Sequence, residues 1–338
     1  MAIRNLRVFA LLMVAILGSV HGLKGKRQTK YIVNQVTEPV QHAEGPHWDY
    51  RSETLFFVDI HEQKIYRLNS RAKSLTYTYI ANGPVGVAIP VEDSPDQLVA
   101  GAGTDFVLVT WDATNNDTNP TINVLTKVDT DRTDTRWNDG KVDSSGRFWG
   151  GTMGPEINGV ITLNRGSLYR ITNELKPEKM VSPVSISNGE AWNIQDNKFY
   201  YIDSPTRQIV SYSFDSYKGI ISNKTIAFDL KSNNIIGTPD GMTIDVNGNL
   251  WVALYGGNHV INVNPRTGKL LRAIKIPAEQ VTSVAFGGPL LDILYVTTSR
   301  IGLNESQLLS QPKAGSVFAV KNLGIQGLPA NLFELTRA

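Results

Sequence analysis

The sequence has 338 residues, with 33 Lys and Arg against 31 Asp and Glu, and it contains no cysteine. The missing cysteine excludes disulfides, thiolate nucleophiles and thiolate metal sites. Two of the basic residues, Arg4 and Arg7, lie at the N-terminus, so the rest of the chain is balanced in charge. Balanced charge offers no field that attracts nucleic acid or an anionic membrane, so neither is expected as a partner. We also expect a monomer.

Residues 1–22 have the pattern of a secretory signal peptide. The two arginines precede an apolar run at 8–20, and small residues near its end predict cleavage after Gly22. The alternative is a membrane anchor, but this run of about 13 residues is shorter than the roughly 20 that span a bilayer. We therefore predict a secreted protein in which residues 23–338 form one domain. Sequons at Asn116, Asn223 and Asn304 lie in polar stretches where a glycan is tolerated, and they support secretion weakly.

The rest of the chain predicts many short strands. Runs rich in Val, Ile, Tyr, Phe and Thr recur between Gly, Asn, Asp and Pro, with almost no helical periodicity. In chain order the predicted strands lie at 47–48, 55–59, 64–68, 75–80; 85–90, 97–101, 106–111, 122–126; 140–143, 146–151, 167–172, 178–181; 191–194, 198–203, 209–214, 225–230; 242–245, 250–254, 260–264, 270–276; 282–286, 293–298 and 316–321. The pattern repeats about every 50 residues, which indicates a repeat architecture.

Six such units predict an all-β fold, a six-bladed β-propeller with four antiparallel strands per blade. The sixth unit lacks a fourth strand of its own. Either residues 31–33 or residues 331–335 could supply that strand. Residues 302–313 interrupt the sixth unit, and we interpret them as a surface loop.

Polar residues followed by glycine recur at one phase of the repeat. Glu44-Gly45, Asn188-Gly189 and Asp240-Gly241 each come just before or at the start of the first strand of a unit. The first strand of each blade lines the central channel, so these side chains are expected to converge at one end of it. Asn138, near the start of the third unit, joins them.

Glu44, Asn188 and Asp240 are three oxygen donors. Hard oxygen donors without cysteine favour a divalent cation such as Ca²⁺, with Mg²⁺, Mn²⁺ or Zn²⁺ as alternatives. Three or four protein ligands leave positions for water and substrate, as in catalytic sites. The competing interpretation is that Asn-Gly and Asp-Gly are common tight-turn pairs. Each motif alone favours a turn, whereas their shared phase favours a site.

Histidine and tryptophan offer weaker signals. His42, His47, His61 and His259 show no ligand spacing, and His47 is interpreted as a satisfied strand residue near the channel mouth. The tryptophans are interpreted as blade core, with Trp137 as a possible wall of the pocket.

Several motifs together resemble a known family, the senescence marker protein 30, gluconolactonase and luciferin-regenerating enzyme group, which includes regucalcin. The motifs are Glu44-Gly45-Pro46-His47-Trp48, Arg136-Trp137-Asn138-Asp139-Gly140, Gly151-Thr152-Met153, Ser187-Asn188-Gly189, Pro239-Asp240-Gly241-Met242 and Ala285-Phe286-Gly287-Gly288-Pro289. The resemblance implies a six-bladed propeller. It also implies that Glu44, Asn188 and Asp240 bind a divalent metal, that Arg136 and Asn138 contact substrate, and that Met153 and Glu156 lie on a loop over the pocket.

The leading hypothesis is a secreted, metal-dependent lactonase that hydrolyses a sugar lactone or a related cyclic ester. The metal would polarise the carbonyl, and Asp240 would act as general base for the attacking water. Arg136 would hold substrate oxygens with its planar donor fork, with Asn138 and Glu156 as further substrate contacts. Two alternatives stay open. One is another hydrolase on this scaffold, phosphotriesterase-like or related to luciferin regeneration; the other is a calcium-binding propeller without turnover.

Overall fold

The computed structural model describes residues 30–132, 134–157 and 159–335, so the predicted signal peptide at 1–22 lies outside the described residues. Within them, six four-stranded antiparallel sheets follow one another along the chain. The innermost strand of each sheet contacts the innermost strands of both neighbouring sheets, which closes the six sheets into a ring. The predicted six-bladed β-propeller is confirmed.

The first three blades are built in chain order, each from the channel outwards. The opening strand, β1 (Ile32–Gln35), belongs to the last blade. Blade 1 consists of β2 (Ala43–Asp49), β3 (Thr54–Asp59), β4 (Lys64–Asn69) and β5 (Ser74–Tyr79). Blade 2 consists of β6 (Val85–Val91), β7 (Ser94–Ala102), β8 (Asp105–Thr110) and β9 (Thr121–Lys127). Blade 3 consists of β10 (Arg136–Val142), β11 (Phe148–Met153), β14 (Gly166–Ile171) and β15 (Pro177–Val184), with an inserted hairpin of β12 (Glu156–Ile157) and β13 (Val160–Ile161).

The last three blades repeat this plan. Blade 4 consists of β16 (Ser187–Asn193), β17 (Lys198–Asp203), β18 (Gln208–Asp215) and β19 (Ile220–Asp229), with a 3-10 turn at Ser204–Thr206. Blade 5 consists of β20 (Thr238–Ile244), β21 (Leu250–Tyr255), β22 (His259–Asn264) and β23 (Lys269–Lys275). Blade 6 consists of β24 (Gln280–Gly287), β25 (Ile293–Ser299), β26 (Phe318–Lys321) and β1.

The N-terminal strand completes blade 6. Strand β1 pairs antiparallel with β26, in a register that sets Ile32 opposite Lys321 and Gln35 opposite Phe318. This selects the first of the two alternatives left open by the sequence. The C-terminal segment instead crosses to blade 2, where Phe333 bridges Val91. The ring is therefore closed by hydrogen bonds between strands from opposite ends of the chain.

Residues 302–313 differ from the predicted loop because they contain a short helix, α1 (Glu305–Ser310). Asn304 caps it by accepting a hydrogen bond from the backbone N–H of Gln307 at 2.9 Å, and the Gln307 side chain bonds back to the Asn304 backbone. This reciprocal pair is a capping box, a signal present in the sequence. None of the helices in the described ranges has the length and apolar character needed to cross a membrane.

The aromatic core lies between the blades. Trp48, Trp137, Trp149 and Trp251 are at most 1% exposed. Trp137 packs edge-on against Phe148, with ring centroids 5.6 Å apart. It does not line the channel cavity, so its interpretation as a possible pocket wall is wrong. The period-two pattern of strand β10 places Trp137 and Asn138 on opposite faces, which explains why one is core while its neighbour faces the channel.

Candidate active site

A β-bulge interrupts each inner strand where it pairs with the second strand of its blade. In four blades the register shift falls at or beside Glu44, Asn138, Asn188 and Asp240. A bulge adds an unpaired residue, bends the strand and re-aims a side chain. The recurring phase seen in the sequence therefore marks a bulge that, in four of the six blades, turns a polar side chain towards the channel.

The glycines that follow these residues allow the inner strands to pack closely. Asn188-Gly189 lies inside β16 and Asp240-Gly241 inside β20, so neither pair forms a hairpin turn. A Cβ atom on Gly241 would collide with the side chain of Ser283 on the next inner strand. Glycine is required there because the inner strands approach each other closely around the axis. The structure thus excludes the tight-turn interpretation for both pairs.

A cavity of 460 Å³ opens at this end of the channel. Its lining includes the predicted donors and contacts Glu44, Arg136, Asn138, Glu156, Asn188 and Asp240. Apolar residues from several blades form the rest of the wall: Met153, Ile161, Ile186, Pro239, Tyr255 and Ile301. The structure brings all of the predicted site residues into one cavity, and their chemical roles stay predictions.

The two carboxylates of the donor set are buried, Glu44 with 3% and Asp240 with 8% of its surface exposed. Burial raises the pKa of Glu44 to about 8, and the Asp139 carboxylate adds to the rise. Burial also raises the pKa of Asp240 well above its ordinary range, and the Glu44 carboxylate is the next cause. Two buried carboxylates that repel each other are stabilised by a cation held between them.

The amides are held by their own hydrogen bonds. Asn188 donates from Nδ2 to Ser204 Oγ at 2.8 Å, which fixes the orientation of its amide. Asn138 donates from Nδ2 to Asn188 Oδ1 at 3.1 Å and to the Ser187 carbonyl at 2.9 Å. Both N–H groups of Asn138 therefore have protein partners, so in this structure it positions Asn188. Its predicted substrate contact would use Oδ1 or require rearrangement.

Arg136 is fixed by its neighbours on β10. Its Nη1 donates to the Trp137 carbonyl and to Asn138 Oδ1, both at 2.9 Å. Burial lowers the pKa of Arg136 to about 10, against the charges of Glu156, Glu44 and Asp240, so it remains a cation at neutral pH. Its guanidinium supplies a positive, oriented donor group to the cavity.

Glu156 reaches the cavity from the hairpin β12–β13, where it pairs with Ile161. The family resemblance implied a loop over the pocket here. The structure shows a two-stranded hairpin whose tip residues, Ile157 and Val160, are exposed. Glu156 itself is exposed at the mouth, unlike the buried donors.

Two histidines were missed as cavity residues. His42 and His61 both line the cavity, and their rings lie 5.4 Å apart. His42 Nε2 is 4.0 Å from Glu44 Oε2, but burial, followed by His61, lowers the pKa of His42 to about 3. The ring is thus neutral at pH 7, and the contact is not an ion pair. His42 lies two residues before Glu44, and residues two apart lie on the same face of a strand. This spacing was the sequence signal that could have predicted His42 as a cavity residue.

The donor set fits a divalent cation by its chemistry. Within the described ranges, no group of three or more His, Cys, Asp and Glu side chains forms a metal site. Glu44 and Asp240 instead combine two mutually repelling carboxylates with the Asn188 carbonyl oxygen, an oxygen set suited to a hard cation.

Known proteins are similar in sequence to this chain over most of its length. A family profile described as SMP-30/Gluconolactonase/LRE-like region matches residues 42–300. The chain belongs to this family. Regucalcin of Bos taurus is 38% identical over 288 residues, which cover 85% of this chain and 93% of the bovine protein. Regucalcin of Xenopus laevis is 34% identical over 299 residues, covering 88% and 96% respectively.

Solved structures agree with the family assignment. A luciferin-regenerating enzyme superposes with a TM-score of 0.84 at 34% identity, covering 91% of this chain and 100% of that chain. A protein described as calcium-binding, regucalcin, from Agrobacterium tumefaciens superposes with a TM-score of 0.79 at 24% identity, covering 91% and 98%. At that identity the second likeness shows the fold alone. The resemblance inferred from the motifs is confirmed, and the chain is a gluconolactonase- and regucalcin-like propeller.

Proposed function

We propose that this protein is a divalent-metal-dependent lactonase that hydrolyses a sugar lactone or a related cyclic ester. The observation that carries the proposal is the convergence of two buried, mutually repelling carboxylates with an oriented amide oxygen and a fixed arginine in one cavity. Family membership supports a small-molecule substrate, because the family description includes gluconolactonase.

Glu44, Asn188 and Asp240 would hold the cation. Hard oxygen donors and relatives that carry the name regucalcin favour Ca²⁺, which is proposed first, with Mg²⁺, Mn²⁺ or Zn²⁺ as alternatives. When bound, a divalent cation polarises an ester carbonyl and offsets negative charge that develops on its oxygen.

Asp240 is proposed as the general base. Its carboxylate takes a proton from the water whose oxygen attacks the carbonyl carbon. The ring C–O bond then breaks, and the proton passes to the leaving alkoxide oxygen, giving a hydroxy acid. A carboxylate whose pKa is raised by burial is a stronger base than an ordinary aspartate, which favours this transfer.

Arg136 and Glu156 are proposed to orient the substrate. Arg136 commits only Nη1 to hydrogen bonds among the described residues, so Nε and Nη2 remain to donate to substrate oxygens. Glu156, at the mouth, can accept from a substrate hydroxyl. The Arg136 cation donates hydrogen bonds and the Glu156 carboxylate accepts them. This pair suits a ligand that carries both hydroxyl donors and carbonyl or ring oxygens.

A second candidate is a related hydrolase with a less polar substrate, such as an organophosphate ester or a compound related to luciferin. It is favoured by 34% identity to a luciferin-regenerating enzyme and by the apolar wall of Met153, Ile186 and Ile301. A third candidate, a calcium-binding propeller without turnover, keeps the donor set but needs no substrate.

Metal removal and refilling tests these candidates together. The purified protein is stripped with chelator and assayed with gluconolactone, alkyl lactones and an organophosphate ester after addition of each ion. We expect lactone hydrolysis to disappear on stripping and to return with one ion. Thermal stabilisation by an ion without turnover of any ester would contradict the enzyme proposals and favour the binding protein. Turnover that survives complete stripping would contradict the metal site.

A further inference from the structure

A second cavity, of 310 Å³, lies further along the channel. Its lining comes from the same inner strands, three residues beyond the first site: His47 follows Glu44, Lys141 follows Asn138 and Thr243 follows Asp240. Three residues of strand span about 10 Å, so this cavity opens towards the opposite face. It shares no lining residue with the first cavity.

Three side chains that line this cavity hold buried polar atoms without hydrogen-bond partners: Glu190, His47 and Trp192, whose Nε1 is unpaired. Glu190 is 0% exposed, and neither of its carboxylate oxygens has a hydrogen-bond partner. His47 is 6% exposed, and its Nε2 also has no partner. The interpretation of His47 as a satisfied strand residue is therefore wrong. Buried polar atoms are normally paired, because leaving them unpaired costs about 1–3 kcal/mol each. Glu190 and His47 come from different blades and line one cavity, so one ligand with hydrogen-bond donors can satisfy the unpaired acceptor atoms of both.

Glu190 receives no hydrogen bond from the cation that lines the cavity. That cation is Lys141, whose ammonium donates to the Met242 carbonyl. Lys141 acts on Glu190 through its charge but leaves both carboxylate oxygens unpaired. The Glu190 oxygens therefore lack the hydrogen-bond donors that a second ammonium would bring.

The remaining walls are apolar and aromatic. Trp192, Phe286 and Leu328 line the cavity, and Leu328 comes from the C-terminal segment that crosses this face. An inorganic ion would leave these walls without contacts. A ligand with an apolar body would pack against them, and aromatic faces attract organic cations.

We propose that this cavity binds a small organic ammonium compound with a compact apolar body. Its N–H groups donate to the Glu190 carboxylate and to His47 Nε2, and its body packs between Trp192 and Phe286. The neutral state of His47, whose pKa burial lowers to about 4, leaves Nε2 able to accept when Nδ1 carries the proton. This site is separate from the proposed lactonase site and does not depend on it.

Benzylammonium and benzyl alcohol are the probes, because they match in shape and differ in charge. Both are titrated calorimetrically into the purified protein. We expect benzylammonium to bind at least tenfold more tightly than benzyl alcohol. We also expect it to shift the ¹⁵N–H indole resonance of Trp192. The resonance of Trp251, whose Nε1 donates to Asp245 at 2.9 Å, should not move.

Two isosteric variants locate the bound ammonium. Glu190→Gln should weaken benzylammonium binding at least tenfold. Glu156→Gln, which neutralises a carboxylate at the other cavity, should leave it unchanged. Equal affinity for the two probes, or loss of binding in Glu156→Gln with retention in Glu190→Gln, would overturn the proposal. The two wild-type measurements decide the question if Glu190→Gln does not fold.

Discussion

At the scale of single residues, the carboxylates of the candidate site destabilise the metal-free fold. Glu44 and Asp240 are buried beside each other, and their raised pKa values report the cost of placing two carboxylates together. Such groups contribute nothing to the metal-free fold. The proposed cation would offset the repulsion between them.

Asp240→Asn should separate the effect of this carboxylate on stability from its proposed role in catalysis. We expect kcat/KM for lactone to fall about a thousandfold, because the general base is lost. In the presence of chelator the free energy of unfolding should rise by about 1 kcal/mol, because the repulsion with Glu44 is removed. Denaturant unfolding and steady-state kinetics measure the two quantities. Asp292→Asn, in an exposed loop, is the matched control and should change neither. Full activity in Asp240→Asn would refute the proposed base.

His47 predicts a pH dependence of stability. Burial lowers its pKa from about 6.5 to about 4; Asp49 opposes this shift, while Lys141 and Arg51 add to it. Because the folded pKa lies below the unfolded one, the unfolded chain binds the proton first as pH falls. Stability is therefore complete above about pH 6.5 and is lost progressively down to about pH 4.

The expected loss from His47 is about 2 kcal/mol between pH 7.5 and pH 5. Urea unfolding of wild type and His47→Gln at both pH values measures it. The variant should lose about 2 kcal/mol less than wild type over this interval. An equal loss in the two proteins would show that His47 is not the group responsible.

At the scale of elements, the bulged inner strands and the closing strand matter most. The inner strands set the site because the bulges of four blades each turn a polar side chain to the channel. Strand β1 holds the ring shut, since it pairs along its whole length with β26. Gln35 adds a hydrogen bond from Nε2 to Ser316 Oγ at 3.0 Å.

A chain that begins at Val36 should test the closing strand. Removing β1 exposes the edge of β26 and takes away the packing of Val33 on the blade 6 core. We expect the free energy of unfolding to fall by about 3 kcal/mol, and the open edge to promote aggregation. A chain that begins at Lys30 is the matched control, measured by the same denaturant curves. Equal midpoints for the two chains would mean that β1 contributes nothing to closure.

At the scale of the whole molecule, the two cavities lie at successive levels of one channel, so metal and ammonium ligands would enter from opposite faces. The three sequon asparagines, Asn116, Asn223 and Asn304, are all exposed. Their exposure is compatible with glycans.

Export is proposed from residues 1–22. Full-length chain expressed in a eukaryotic secretory cell line should appear in the medium, and its N-terminus should be Leu23 after cleavage behind Gly22. Intact mass before and after deglycosylation reads out both the cleavage and the use of the sequons. A chain started at Leu23 should stay in the cells. Full-length chain that keeps Met1 and remains cell-associated would contradict the proposal.

The repeat and its phase were readable from the sequence alone. Strand runs with turn residues recur about every 50 residues because each blade must bury the same faces, and this periodicity predicts the propeller. Glu44, Asn188 and Asp240 could be found for the same reason, since the glycine behind each marks the bulge that repeats with the blade.

Other features were decided only by the tertiary structure. Nothing local distinguishes residues 31–33 from 331–335 as the closing strand, because closure depends on which chain end reaches the open edge of β26. His42 enters the first cavity, and His47 with Glu190 forms the second, through contacts between blades far apart in sequence. The alternation of residue types along a strand indicates which face a side chain occupies. Only the closed ring determines which other side chains meet it there.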